Sequence, residues 1–282
     1  MGLALAETAR AKVNLTLRVL GRRTDGYHTL ESLVVFADLA DTLTLEKAAK
    51  NSLTVRGPFA GACGPAADNL VLKAAQSLPG LEGGHFTLDK RIPAAAGLGG
   101  GSSDAAAALR LLARANGISE KEPGLLAVAR KLGADVPVCL VPDAKIMRGV
   151  GEQLSAPLDL AGLAAVLVNP GVAVPTREVF AAFQPSDGGA RALNEPPSGH
   201  EALLEWLSGY GNDLTRAAIA LVPVISNVLG AIAAQPDCRL HRMSGSGATC
   251  FGIFNSPHTA NAAAQALRKA QPGWWVAPVT LG

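Results

Sequence analysis

The sequence lacks a surplus of charge: 25 Lys and Arg against 23 Asp and Glu leave a formal net charge of +2 over 282 residues. A chain so balanced offers no basic field to nucleic acid or to acidic membranes, so any anion site it carries is local. Cysteine is sparse and scattered. Cys63, Cys139, Cys238 and Cys250 form no C-x-x-C and have no His at ligand spacing, which indicates neither a disulfide framework nor a zinc site and suits a reducing cytosol. Also missing is an amino-terminal basic segment followed by a long apolar run, and Ala6 stands where a myristoylation signal needs Ser or Thr. The one hydropathy alarm, the uncharged stretch 217–234, is interrupted by Pro223, Ser226 and Asn227 and reads as core helix. A cytoplasmic protein without nucleic-acid or membrane partners is expected.

What the sequence does have is a glycine-dense stretch between a strand and a helix. Phe86, Leu88 and Ile92 alternate with Thr87, Asp89 and Arg91 as in a half-buried strand, which Pro93 ends. Ala94-Ala95-Ala96-Gly97-Leu98-Gly99-Gly100-Gly101 follows, where missing side chains let backbone N–H groups approach a ligand. Ser102, Ser103 and Asp104 are N-cap residue types, with a helix-favouring body behind them at 105–112. An anion there would meet unpaired N–H groups and the positive end of a helix dipole; a tight connection without ligand is the alternative. No Lys follows the last glycine as in a P-loop, and Gly97-x-Gly99-x-x-Ser102 lacks the third glycine of the dinucleotide fingerprint. The protein-kinase glycine loop is absent as well.

Length argues for two lobes, since 282 residues exceed what one core usually organises. Ala11, Val13, Leu15, Leu17 and Val19 alternate with Lys12, Asn14, Thr16 and Arg18, a strand pattern that puts Lys12 and Asn14 on one polar face. Lys12 there either points into a cleft or is a solvated lysine. Beyond a polar turn at 21–26, Tyr27 and His28 either grip a base or serve as a half-buried aromatic and a satisfied histidine. Apolar runs at Leu43, Leu45 and at Leu53, Val55 predict antiparallel strands. Asp68 and Asn69 cap a helix over 70–78 that Pro79-Gly80 stops, and another helix over 123–132 stops at Gly133. Asp135 follows it, where the dipole's negative end disfavours a carboxylate by about 0.3–1 kcal/mol, although Pro137 also makes it an ordinary turn residue. Past Glu152 come a strand at 163–168, a helix from Pro175-Thr176 through Phe180 and Phe183, and a long surface loop at 184–199. Helices near 201–207 and 214–234 are next, the second broken at Pro223. Two strands then flank Ser244-Gly245-Ser246-Gly247, and a helix capped by Ser256 leads to a last strand around 275–279.

The segment from Pro93 through Gly101 to Ser102-Ser103-Asp104 resembles the ATP-binding motif of the galactose, homoserine, mevalonate and phosphomevalonate (GHMP) kinase superfamily. Further segments, in order and nearly end to end, are similar to one branch of it: Lys12-Val13-Asn14-Leu15, Gly26-Tyr27-His28, Leu132-Gly133-Ala134-Asp135-Val136-Pro137, Gly149-Val150-Gly151-Glu152, Pro170-Gly171, Pro175-Thr176 before Val179-Phe180, and Ser244 to Thr249. That branch phosphorylates the 2-hydroxyl of 4-diphosphocytidyl-2-C-methyl-D-erythritol in non-mevalonate isoprenoid synthesis. Val138 departs from its more usual phenylalanine, and residues 184–200 carry no signature. The resemblance implies an α+β, two-lobed fold: 1–155 a nucleotide-binding lobe resembling domain 2 of ribosomal protein S5, and 156–282 an α/β sandwich lobe whose last strand can return to the first. ATP and acceptor would meet in the cleft. By the same resemblance Asp135 is the base and Lys12 its partner, stabilising charge on the transferring phosphoryl group. Pro93, Ala94, Ala95, Ala96, Gly97, Leu98, Gly99, Gly100, Gly101, Ser102 and Ser103 hold ATP, with Asn69 and Lys90 near the nucleotide. Asn14 positions the acceptor, Tyr27 and Phe180 sandwich the cytosine, and His28 bonds its edge. Mg2+ is expected with ATP, without a protein ligand that the sequence identifies; oligomeric state is not legible. A kinase for another small alcohol and a non-catalytic ligand sensor are the rivals. Tyr27, His28 and Phe180 speak against the first and Lys12 with Asp135 against the second.

Overall fold

Twenty consecutive residues, His28–Lys47, form one strand, and much of the chain is arranged by what pairs with its two halves. The structure, a computed structural model, describes residues 4–78, 80–120, 122–185 and 192–282. The expected helix stop at Pro79 and residues 186–191 of the expected surface loop lie outside the described residues. In chain order the strands are β1 (Leu5–Asn14), β2 (Arg18–Arg22), β3 (His28–Lys47), β4 (Ser52–Arg56), β5 (Gly84–Asp89), β6 (Lys145–Gly149), β7 (Gln153–Leu154), β8 (Leu163–Asn169), β9 (Cys238–Met243), β10 (Cys250–Phe254) and β11 (Trp275–Leu281). The helices are α1 (Leu70–Gln76), α2 (Gly100–Ala115), α3 (Pro123–Leu132), α4 (Val136–Leu140), α5 (Thr176–Ala182), α6 (His200–Ser208), α7 (Thr215–Leu221), α8 (Val224–Ala233) and α9 (Pro257–Ala270). They group into two compact units. One comprises the chain up to Lys12, Leu39–Ala95 and Gly99–Pro142; the other comprises Val13–Asp38, Ala96–Leu98 and Asp143–Gly282. This grouping cuts the chain at other places than the expected lobes 1–155 and 156–282.

In the first unit β5 lies between two neighbours. It pairs antiparallel with the second half of β3, from Thr42 opposite Asp89 to Lys47 opposite Gly84, and parallel with β4. The expected antiparallel pairing of Leu43, Leu45 with Leu53, Val55 is therefore corrected: the link from β4 to β5 runs through α1, the crossover that parallel neighbours require. Asn69 caps α1, its Oδ1 accepting from Val71 N at 2.9 Å. Strand β5 stops at Asp89 rather than at Ile92, because Asp41 Oδ1 takes the N–H groups of Arg91 (2.5 Å) and Ile92 (2.8 Å) out of the ladder. Helix α2 starts earlier than expected. Gly99, at φ 61°, turns the chain, so Gly100 is already helical and Ser102, Ser103 and Asp104 lie inside the helix instead of capping it. Its unbroken buried run from Ala105 to Ala113 carries mostly small side chains, which lets α1 and α4 approach closely.

In the second unit β11 pairs antiparallel with β8 along its whole length and touches β3 at Leu281 opposite Ala37. Strand β10 pairs antiparallel with both β8 and β9. Every residue of β8 is buried, as its continuous apolar run predicts for a central strand. Helix α9 packs on β8 and β11, and α8 on β9 and β10. Pro223 separates α7 from α8, and Ser256 opens α9 with a capping box closed by Thr259. The first half of β3 pairs with β2 and β6. Among the described residues no helix is long and apolar enough to cross a membrane.

Candidate active site

Lys12 lies near the end of β1, and Asp135 is the residue immediately before α4. Lys12 Nζ stands 2.9 Å from Asp135 Oδ2, the lysine side chain 4% exposed and the aspartate 33%. The polar face expected for Lys12 is thus not solvated; Lys12, Val13 and Asn14 are all buried. The expected penalty at the end of α3 is also revised, since the chain turns at Gly133 and Asp135 heads the short helix α4 with a cation beside it. A carboxylate that stays partly accessible while an ammonium is held against it is equipped to take a proton from a hydroxyl. Gly99 lies on the same lysine: a Cβ added there would come within 3.2 Å of Lys12 Cβ and Cε. The ammonium stem therefore passes beneath the start of α2.

The N–H groups of Gly100, Gly101 and Ser102 precede the first bond within α2, Ser103 N to Gly99 O at 2.8 Å, and among the described residues no side chain caps them. Those donors and the helix dipole suit phosphate oxygens. The residues of the expected motif differ in exposure. Ala95 and Gly101 are exposed, Ala94, Gly99, Gly100 and Ser102 are half-buried, and Pro93 and Ser103 are buried. The Ser103 hydroxyl donates inward to Arg10 O at 2.7 Å. Lys90, expected near the nucleotide, is turned inward as well: its ammonium lies 2.5 Å from Asp41 Oδ2 and 2.7 Å from Asp104 Oδ2. Asn69 is engaged as the cap of α1.

In the second unit, Ala96, Gly97 and Leu98 belong with the other glycine turn. A Cβ on Gly97 would stand 2.7 Å from both Ser244 O and Gly247 O. Ser244 Oγ donates to Gly97 O at 3.0 Å and accepts from Asn14 N at 3.1 Å, while Asn212 Nδ2 donates to the carbonyls of Met243 (2.8 Å) and Gly245 (2.7 Å). Asn14 Nδ2 donates to Ser32 Oγ at 2.8 Å. His28 and Phe180 come together across β3 and α5, their rings stacked at 5.3 Å and 26°, with Phe183 edge-on to His28 at 6.3 Å. Burial, helped by the charge of Arg22, pushes the His28 imidazole down, so it is neutral at physiological pH. Tyr27 is 66% exposed. The ring lying on Phe180 is thus that of His28.

Sequence reasoning missed Asp41, Asp104 as a partner of Lys90, and Asn212. Asp41 left no distinct trace, being one of several acidic residues, with Glu31, Asp38 and Glu46, along the same strand.

Residues 69–142 match the family described as the GHMP kinases N terminal domain, and residues 190–273 match GHMP kinases C terminal. A 4-diphosphocytidyl-2-C-methyl-D-erythritol kinase of Methylobacterium radiotolerans is 57% identical over 287 residues, spanning 98% of this chain and 99% of the relative. One of Rhodopseudomonas palustris is 53% identical over 292 residues, spanning 99% and 98%. A crystal structure of a 4-(cytidine 5'-diphospho)-2C-methyl-D-erythritol kinase superposes with a TM-score of 0.80 at 40% identity, covering 99% of each chain. With identity of that order along its whole length, the chain belongs to the 4-diphosphocytidyl-2-C-methyl-D-erythritol kinases, a family of GHMP kinases.

Proposed function

We propose that this kinase transfers the γ-phosphoryl group of ATP to the 2-hydroxyl of 4-diphosphocytidyl-2-C-methyl-D-erythritol, giving the 2-phosphate and ADP, in the cytoplasm as a step of isoprenoid precursor synthesis. The observation that carries the reading is Lys12, whose stem lies against Gly99 at the start of α2 and whose ammonium lies 2.9 Å from Asp135. One side chain thereby joins the phosphate-holding helix terminus to a proton acceptor. Phosphoryl transfer needs positioning and positive charge more than covalent help. The amides of Gly100, Gly101 and Ser102 hold phosphate oxygens, Asp135 orients the acceptor hydroxyl and takes its proton, and Lys12 stabilises charge on both. Among the described residues no group of three or more His, Cys, Asp or Glu side chains could hold a metal ion. Mg2+ is expected with ATP, whose phosphate charge it neutralises.

Tyr27, His28 and Phe180 take the cytosine. With His28 on its face, Phe180 has no room for a base there, so a sandwich with Tyr27 requires His28 to swing from the ring's face to the base's edge. The test is turnover of the purified protein with the cytidyl acceptor, ATP and Mg2+, compared with Tyr27→Leu, Phe180→Leu and His28→Ala. The acceptor KM is expected to rise about ten- to a hundredfold in each variant, as loss of one stacking face or hydrogen bond implies. The KM for ATP should stay at the parent's value. Loss of ATP affinity instead would move the aromatic cluster to the adenine, and absence of turnover in the parent would end the reading.

A further inference from the structure

We propose that Asp41, Lys90 and Asp104 form a positioning clamp that sets the start of α2 against the end of β5, and thereby the affinity for ATP phosphates, without touching the nucleotide. The proposal rests on the kinase reading above. The three side chains come from β3, from the residue after β5 and from the second turn of α2, all in the first unit, and are 0%, 2% and 2% exposed. Lys90 Nζ bridges Asp41 Oδ2 at 2.5 Å and Asp104 Oδ2 at 2.7 Å. Asp41 uses its other oxygen on the N–H groups of Arg91 and Ile92, so it grips the chain as it leaves the strand. The ammonium also lies directly under the first helical residue: a Cβ on Gly100 would be 3.0 Å from Lys90 Nζ. Both ends of the phosphate-binding segment are thus tied to one cation.

Stability does not account for this arrangement. Burying two carboxylates around one ammonium carries a desolvation cost that packed apolar side chains avoid. Among the described residues Asp104 Oδ1 is buried without a hydrogen-bond partner, an expense that a cluster serving only the fold would shed. Burial, opposed by Lys90 and reinforced by Asp41, pushes Asp104 up to about 7. Burial alone would lower Lys90, but the two carboxylates raise it, so the ammonium stays charged. What the cluster supplies is direction: charge-assisted hydrogen bonds fix where the first turn of α2 sits, as an apolar contact cannot.

The test compares Asp104→Ala with Asp104→Asn in steady-state kinetics with ATP and the cytidyl acceptor. Asp104→Ala removes the acceptor of the Lys90 bond and is expected to raise the ATP KM about tenfold or more, with kcat at saturating ATP and the acceptor KM within about threefold of the parent. Asp104→Asn keeps an oxygen facing Lys90 and is expected to restore the ATP KM to within about twofold. A folded Asp104→Ala with the parent's ATP KM, or an Asn variant as impaired as Ala, overturns the proposal. Should Asp104→Ala fail to fold, Lys90→Met with Asp104→Leu replaces two of the three buried charges by packing, while the Asp41 carboxylate keeps its bonds to the N–H groups of Arg91 and Ile92. A raised ATP KM supports the clamp there too, and an unchanged one overturns it. Activity in the parent separates failure of the clamp from failure of the kinase reading.

Discussion

Asp135→Asn is expected to lower turnover by about 10²–10⁴-fold while ATP affinity changes little, because the amide keeps the side chain's shape but cannot accept the acceptor's proton. The amide oxygen still faces Lys12 Nζ, now 2.9 Å from Asp135 Oδ2, so the arrangement around the lysine is retained. Rates at saturating ATP and acceptor, with ATP binding by calorimetry and a melting curve for each protein, decide the matter. A loss smaller than about tenfold would make Asp135 a positioning residue, an outcome that a loose transition state with little need of a base would produce. A variant that melts far below the parent would instead assign the pair to the fold.

Gly97→Val is expected to destabilise the protein by about 2–5 kcal/mol, combining about 1–2 for a left-handed backbone with about 1–3 for overpacking. Gly97 sits at φ 75°, and the first atom of any side chain would stand 2.7 Å from the carbonyl oxygens of Ser244 and Gly247. Those oxygens cannot yield, since Ser244 is bonded to Gly97 and Asn14, and Asn212 holds the neighbouring carbonyls. A melting temperature lower by about 5–15 °C is the expected readout for a chain of this size. Gly101→Ala is the control: the added Cβ meets only Leu70 Cδ1, at 3.8 Å. That variant should melt like the parent and bind ATP more weakly, separating a glycine needed for packing from one needed for phosphate approach. Equal melting of Gly97→Val and the parent would show that the two glycine turns do not pack as described.

The glycines illustrate how far the sequence carries. A strand, a glycine-dense loop and an alanine-rich helix are local events, governed by residue spacing and backbone freedom, and all three were legible between Phe86 and Leu112. What each glycine makes room for is not local. Gly97 clears the Ser244–Gly247 turn, Gly99 clears Lys12 and Gly100 clears Lys90, partners from 10 to 150 residues away in sequence. Three glycines of the motif read as a phosphate cradle thus also make room for other protein atoms.

The sequence by itself determined that the chain is an α+β protein without long apolar spans, where most helices begin and end, and which residues resemble a kinase's. Caps, prolines and apolar periods act within a few residues, and one sequence records them. Tertiary structure alone decided that β5 separates β3 from β4, because strand order depends on which faces remain to be buried once the chain has crossed over. Only it turned Lys90 inward to Asp41 and Asp104, since an ammonium near two buried carboxylates lowers its energy by pairing, whatever its place in a motif. Only it laid His28 on Phe180, two rings 152 positions apart that share an apolar surface when β3 and α5 meet. Contacts between residues distant in sequence leave no periodic trace, and at this site they decide which side chains face a ligand and which hold the others still.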